Sequence, residues 1–188
     1  MTPTSLVKST LDPRLSRTLL FVMFLSMALA LHVLESALPP PLPFPGVKLG
    51  LANVMTTAAM LVLGVGSGVA LALARTLLGS LIVGTFLSVG FFLSAGGALA
   101  SALVTALALT WCRPALSLVG VSILSALVHN TAQLLLAWAV FIQQGVLFYY
   151  LPVLWLLALA SGLITGLILR ALEQRGTFQR IALDAPQL

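Results

Sequence analysis

Acidic side chains are nearly absent from this sequence. Its 188 residues include Asp12, Asp184, Glu35 and Glu173 and no other carboxylates. Holding magnesium against a diphosphate takes several carboxylates together, so prenyl or phosphoryl transfer by this chain alone is excluded. The single cysteine, Cys112, excludes an internal disulfide, and with His32 and His129 as the only histidines there is no convincing set of zinc, haem or iron–sulfur ligands. Cys112 stands beside Arg113 at an expected membrane boundary and reads as a plain interfacial residue. No Gly-x-x-x-x-Gly-Lys-Ser/Thr loop is present, so the chain does not hydrolyse ATP itself. Counting does not exclude a serine–histidine hydrolase, but no acid is placed to orient His129. Neither catalytic residues, nor a metal, nor a cofactor are expected.

Charge of either sign is scarce. Nine Lys and Arg and four Asp and Glu make 7% of the chain, too few to cover a soluble domain of this length. What is present is hydrophobic: 60% of residues, with a mean hydropathy of +1.15. That balance is the signature of a membrane-embedded protein. The net charge of +5 does not point to nucleic acid, because the cations stand at the ends of apolar runs and not on one polar face.

Apolar runs fall at 18–37, 50–65, 68–88, 93–111, 115–140 and 147–169. Each approaches the ~20 residues that cross a ~30 Å hydrocarbon core, the second being somewhat short. Lys8, Arg14 and Arg17 before the first run resemble a secretory signal, but the run is long enough to span and Glu35-Ser36-Ala37 is a poor cleavage site. The fold expected is all-α: a bundle of six transmembrane helices over 18–170, with a tail at 1–17 and another at 171–188, both cytoplasmic. Six spans put Lys8, Arg14, Arg17, Arg113, Arg170, Arg175 and Arg180 on the cytoplasmic side, as the positive-inside rule requires, whereas five would break that parity. Trp111, Trp138, Phe148, Tyr149 and Tyr150 then fall at interfacial depths. The location implied is the cytoplasmic (inner) membrane of a bacterium.

Five of the ten prolines stand between Pro39 and Pro45, in a proline-rich external loop at 39–46. Proline fixes φ and removes the amide donor, so this stretch is a stiff strap, either a helix stop or a cover over an outward cavity. Small residues recur at packing intervals: Ser26 and Ala30; Ser94, Gly97, Ser101 and Thr105; Gly162 and Gly166. Such stripes let helices approach closely in lipid, within this chain or against a partner.

Polar groups inside membrane helices cost a few kcal/mol each at mid-depth, so they face a partner or a cavity. Glu35 closes the first run, Lys48 and Asn53 flank the start of the second, and Arg75 lies well inside the third. His129, Asn130 and Gln133 share the outer half of the fifth, His129 and Gln133 on one face. All fall between mid-membrane and the outer surface and could converge on an outward-opening pocket. Arg75 offers a planar fork suited to carboxylate or phosphate, Lys48 a second cation, and the amides and imidazole hydrogen bonds. An anionic head with an apolar body would fit. The simpler reading is that Arg75 neutralises Glu35. His32 reads as a histidine satisfied by its neighbours.

Several of these stretches carry a resemblance. Pro45-Gly46-Val47-Lys48-Leu49-Gly50-Leu51-Ala52-Asn53, Arg75-Thr76-Leu77-Leu78-Gly79-Ser80 and Ser94-Ala95-Gly96-Gly97, with His129-Asn130-x-x-Gln133 and Tyr149-Tyr150-Leu151-Pro152, resemble the Gx transporter family. That family is also labelled heptaprenyl diphosphate synthase component I, and the likeness runs from about 20 to 170. The family is similar to the substrate-binding S components of energy-coupling factor transporters. The resemblance implies a six-helix protein that captures a nutrient near the outer face and works with a transmembrane coupling subunit and ATPases. It also implies a docking face such as Ser26 and Ala30.

The function expected is therefore a substrate-binding membrane subunit for uptake of an anionic or amphipathic small molecule, such as an isoprenoid, quinone or flavin precursor. Glu35, Lys48, Asn53, Arg75, His129, Asn130 and Gln133 are the candidate ligand-binding residues. The alternatives are a non-catalytic membrane accessory of a polyprenyl diphosphate or quinone biosynthesis complex, and a structural anchor with no pocket.

Overall fold

A computed structural model describes residues 12–37, 50, 52–112 and 115–184. These form α1 (Pro13–Ala37), α2 (Ala52–Leu63), α3 (Val65–Val83), α4 (Val89–Leu107), α5 (Leu118–Leu136), α6 (Leu151–Gln174) and the short α7 (Thr177–Asp184), with no strand among the described residues. α4 and α5 each run on through a wider π-type turn, Ala108–Cys112 and Ala137–Ile142, and a 3-10 turn at Gly145–Tyr150 leads into α6.

Among the described residues, five segments are long and apolar enough to cross a membrane: Arg14–Ala37, Val65–Val83, Val89–Cys112, Leu118–Ile142 and Gly145–Gln174. The second expected span departs from this. α2 has only 12 residues, about 18 Å at the helical rise, which falls short of a ~30 Å core. The other helices keep the expected order with shifted ends, for which local chemistry accounts. Gly64 alone, at φ 91°, turns the chain between α2 and α3, a conformation glycine adopts without penalty. Gly84, at φ 75°, closes α3 in the left-handed conformation, and Thr85 N–H reaches back to Ser80 O at 2.8 Å. Ser88 and Ser117 cap α4 and α5, accepting from Phe91 N and Gly120 N at 3.2 Å.

Contacts between helices fix their directions. Gly68 faces Met60 and Arg75 bonds Asn53, pairs placed symmetrically about Gly64, so α2 and α3 are an antiparallel hairpin. Gly97 with Gln133, Ser101 with His129 and Thr105 with Ser125 make the same ladder for α4 and α5. Gly166 with Val119, Gly162 with Ile123 and Asn130 with Leu154 make it for α5 and α6. α1 lies along α2 and α3: Arg17 donates to Leu63 O at 2.8 Å, satisfying a helix-end carbonyl, and His32 packs on Gly79 at the other end. Direction therefore alternates from α1 to α6.

The bundle has two unlike ends. Around Gly64, Phe24, Leu63, Leu71, Leu118, Leu169 and Phe178 form one apolar cluster joining α1, α2, α3, α5, α6 and α7. Arg17 and α7 thus share that end. Toward Gly50 the interior is polar: Glu35, Arg75, His129, Asn130 and Gln133 are all buried. The outer face carries the leucines and isoleucines, with Leu156 at 67% and Ile82 at 61% exposure, an inversion that suits lipid and not water. The chain is a multi-pass membrane protein. Its Gly162–Gly166 pair is an internal seam: a Cβ at Gly162 would stand 2.7 Å from Ile123 Cα, and one at Gly166 2.6 Å from Val119 Cα.

Candidate functional site

Arg75 sits eleven residues from Gly64 on α3, about 16 Å along the axis, midway along that 19-residue helix. It is 5% exposed. Its Nη2 donates to Asn53 Oδ1 at 2.6 Å, a short charge-assisted bond. Asn53 is the first full turn of α2, held there by Asn53 N–H to Gly50 O at 2.9 Å. Glu35, 8% exposed, comes down from α1 into the same cleft and attracts the guanidinium. His32, Thr76, Ser94 and His129 complete the walls. α1 approaches this closely because position 79 is glycine; a Cβ there would lie 2.5 Å from His32 Cδ2. Arg75 Nε is buried and has no hydrogen-bond acceptor among the described residues.

A second cleft continues from the first, sharing Gly50, Asn53 and His129. It is walled by Thr57 of α2, Ser122, Ser125 and Asn130 of α5, and Ser161 and Thr165 of α6. His129 stands at the junction, its Nδ1 3.4 Å from Ser101 Oγ. Thr105 donates to Ser125 Oγ at 2.9 Å, and Asn130 Nδ2 to Leu154 O at 3.0 Å, which bind α5 to both neighbours. Ser122 Oγ, 3% exposed, has no partner among the described residues. Each cleft is narrow, with room for about one water molecule.

Four expected site residues therefore meet in one place: Glu35, Asn53, Arg75 and His129. Asn130 lines the adjoining cleft. Gln133 is buried one turn beyond His129, its Cγ against Gly97, and lines neither cleft. Lys48 and the proline-rich stretch 39–46 lie outside the described residues. Ser26 and Ala30 are on the exposed face of α1 and line neither cleft, with Ser26 Oγ turned onto Val22 O at 2.8 Å. Of the small-residue stripe on α4, Gly97, Ser101 and Thr105 face α5 inside the bundle and Ser94 lines the first cleft.

His32, expected to be satisfied by its neighbours, packs on Gly79 and also lines the first cleft, and Thr57, Ser122, Ser125, Ser161 and Thr165 line the second without having been among the expected site residues. A signal existed: Ser122, Ser125 and His129 recur at helical intervals, as do Ser161 and Thr165, each set on one face. Among the described residues, no group of three or more His, Cys, Asp or Glu side chains is arranged to hold a metal ion. What the site offers is one permanent cation, one carboxylate, two histidines and a hydroxyl-lined extension.

Among known proteins, the model of the family described as heptaprenyl diphosphate synthase component I matches residues 24–172. No curated protein matches, and no solved structure does.

Proposed function

The chain belongs to the heptaprenyl diphosphate synthase component I family, and from that premise we propose that it is a substrate-binding membrane subunit that captures an anionic small molecule at Arg75. The observation carrying this reading is the Arg75 guanidinium itself, buried at mid-bundle with its Nε lacking an acceptor among the described residues. A charge that only balanced Glu35 could spend all its donors on protein oxygens; an arginine fork with an unfilled donor is suited to a carboxylate or phosphate from outside. Glu35 then serves as the stand-in counter-ion, giving way when the ligand's anion arrives, while Asn53 keeps the fork oriented. His129 would meet the ligand where the two clefts join, and Lys48 would add a second cation.

Six passes with both ends cytoplasmic complete the reading. Arg14, Arg17, Arg170 and Arg175 gather toward the Gly64 end, in keeping with a cytoplasmic face there. The polar clefts would then open outward. α2 would be the short sixth crossing. The exposed Ser26–Ala30 face of α1 would dock a transmembrane coupling subunit, with ATPases supplying the energy.

A second reading is favoured by the family's description, which names one component of a synthase. On it, the chain is a non-catalytic membrane accessory to a soluble prenyltransferase. Native mass spectrometry of the protein extracted gently from its own membranes separates the two. A co-purifying anion that is lost in an Arg75→Met/Glu35→Gln variant, with an ATPase-containing assembly, supports uptake. An empty protein bound to a prenyltransferase overturns uptake in favour of the accessory role.

A further inference from the structure

We propose that the ligand held at Arg75 is a hydroxylated, hydrogen-bonding anion and not an amphipath with an apolar chain; the inference rests on the ligand-binding reading above and names its substrate class. Among the described residues, the cleft at Arg75 continues past Asn53 and His129 into the second cleft, and a ligand anchored at Arg75 can extend there. There the walls are Thr57, Ser122, Ser125, Asn130, Ser161 and Thr165; among the described residues lining it, Ala126 is the one hydrocarbon side chain. A hydrocarbon tail laid along those hydroxyls and the amide would strip them of water and return no hydrogen bond, the costly way to bury a polar group. Ser125, Asn130 and Ser161 each have a bond within the protein and spare capacity for another, whereas Ser122 Oγ has none among the described residues, and there a ligand hydroxyl or carbonyl supplies what a hydrocarbon cannot.

The unfilled groups point the same way. Arg75 lines one cleft and Ser122 the other, and Arg75 Nε and Ser122 Oγ are buried without partners among the described residues; Thr56 Oγ1, likewise unpartnered, belongs to a residue that lines neither cleft. They call for an anionic group at one end of the ligand and an oxygen or nitrogen at the other. The apolar alternative has its own place on the molecule and it is the wrong one. The groove formed by Leu127, Val128, Leu135 and Trp155 would accept a hydrocarbon chain, but it opens on the outer face of α5 and α6 and shares no residue with either cleft. A chain lying there could not belong to a ligand whose head is at Arg75.

The test uses the detergent-purified full chain with two probes of like charge, ribitol 5-phosphate and geranyl phosphate, and measures affinity by calorimetry. Ser122→Ala is the diagnostic variant: it deletes an unpartnered hydroxyl, so the fold is retained while the ligand contact is lost. Ribitol 5-phosphate is expected to bind about tenfold or more tightly than geranyl phosphate, and Ser122→Ala to weaken ribitol 5-phosphate about tenfold and leave geranyl phosphate unchanged. Geranyl phosphate binding as tightly or tighter, indifferent to Ser122→Ala yet lost in Arg75→Met/Glu35→Gln, would overturn the substrate class and leave the anion site standing. Binding of neither probe, or binding indifferent to the Arg75 and Glu35 changes, would overturn the anion site and this inference with it.

Discussion

Replacing Arg75 alone and replacing it together with Glu35 should have opposite characters. In Arg75→Met the Glu35 carboxylate, on a residue 8% exposed near the end of α1, is left facing a methionine and Asn53 Oδ1 loses its donor. Breaking a buried charge pair by removing one partner costs about 3–5 kcal/mol, most of it the penalty of the charge left behind. The 2.6 Å bond to Asn53 lies within that figure, since a hydrogen bond to a charged group contributes about 1.5–3 kcal/mol. Adding Glu35→Gln removes the orphaned charge, and exchanging a buried pair for neutral groups of like volume is often close to neutral. The double variant should therefore recover about 2–3 kcal/mol relative to Arg75→Met. Equilibrium unfolding in mixed micelles, followed by circular dichroism, gives the four corners of the cycle. If Arg75→Met and the double variant are equally stable, Glu35 and Arg75 are not energetically paired and the view of Glu35 as a stand-in counter-ion fails. The cycle also separates folding from binding. A well-folded double variant that still holds the native anion would place the anion site elsewhere.

Gly162→Ala puts a methyl 2.7 Å from Ile123 Cα and 3.0 Å from Ser122 O, backbone atoms that have no rotamer to turn aside; it should cost about 1–3 kcal/mol in the same unfolding assay, and an unchanged midpoint would refute the close α5–α6 seam. At Gly64 there is open space around a new Cβ, yet φ is 91°, so Gly64→Ala should cost about 1–3 kcal/mol through backbone strain alone; a neutral result would mean that the α2–α3 turn is built differently. Cys112 is the one cysteine, exposed at the end of α4 that shares the Gly64 side of the bundle. A membrane-impermeant maleimide should label it in inverted vesicles and not in intact cells, and labelling in intact cells would reverse the orientation.

What could be read from sequence, and what could not, follows from how much each group's burial costs. Membrane embedding, the all-helical fold and the order of the helices rest on long apolar runs, whose burial in lipid is worth tens of residues of consistent signal. The end of α2 rests on one residue, Gly64, flanked by Leu63 and Val65 and by no charge, so the apolar run passes through it unbroken while the backbone reverses. Hydropathy sees composition and is blind to φ. The site divides along the same line. Arg75, Glu35, Asn53 and His129 were legible because each is too expensive to leave in hydrocarbon alone, and their meeting in one cleft is what that expense requires. Hydroxyls carry no such demand. Thr110 and Thr131 satisfy themselves on the carbonyls of Ala106 and Leu127, at 3.0 and 2.7 Å, and a serine or threonine doing so looks in sequence the same as one facing a cleft. Only packing distinguishes Ser122, buried with its Oγ unpartnered, from these. The cheap polar residues are consequently where the sequence is least informative and where, on the proposed reading, a ligand's body would be recognised, while the costly Arg75 that announces the site would hold its charge.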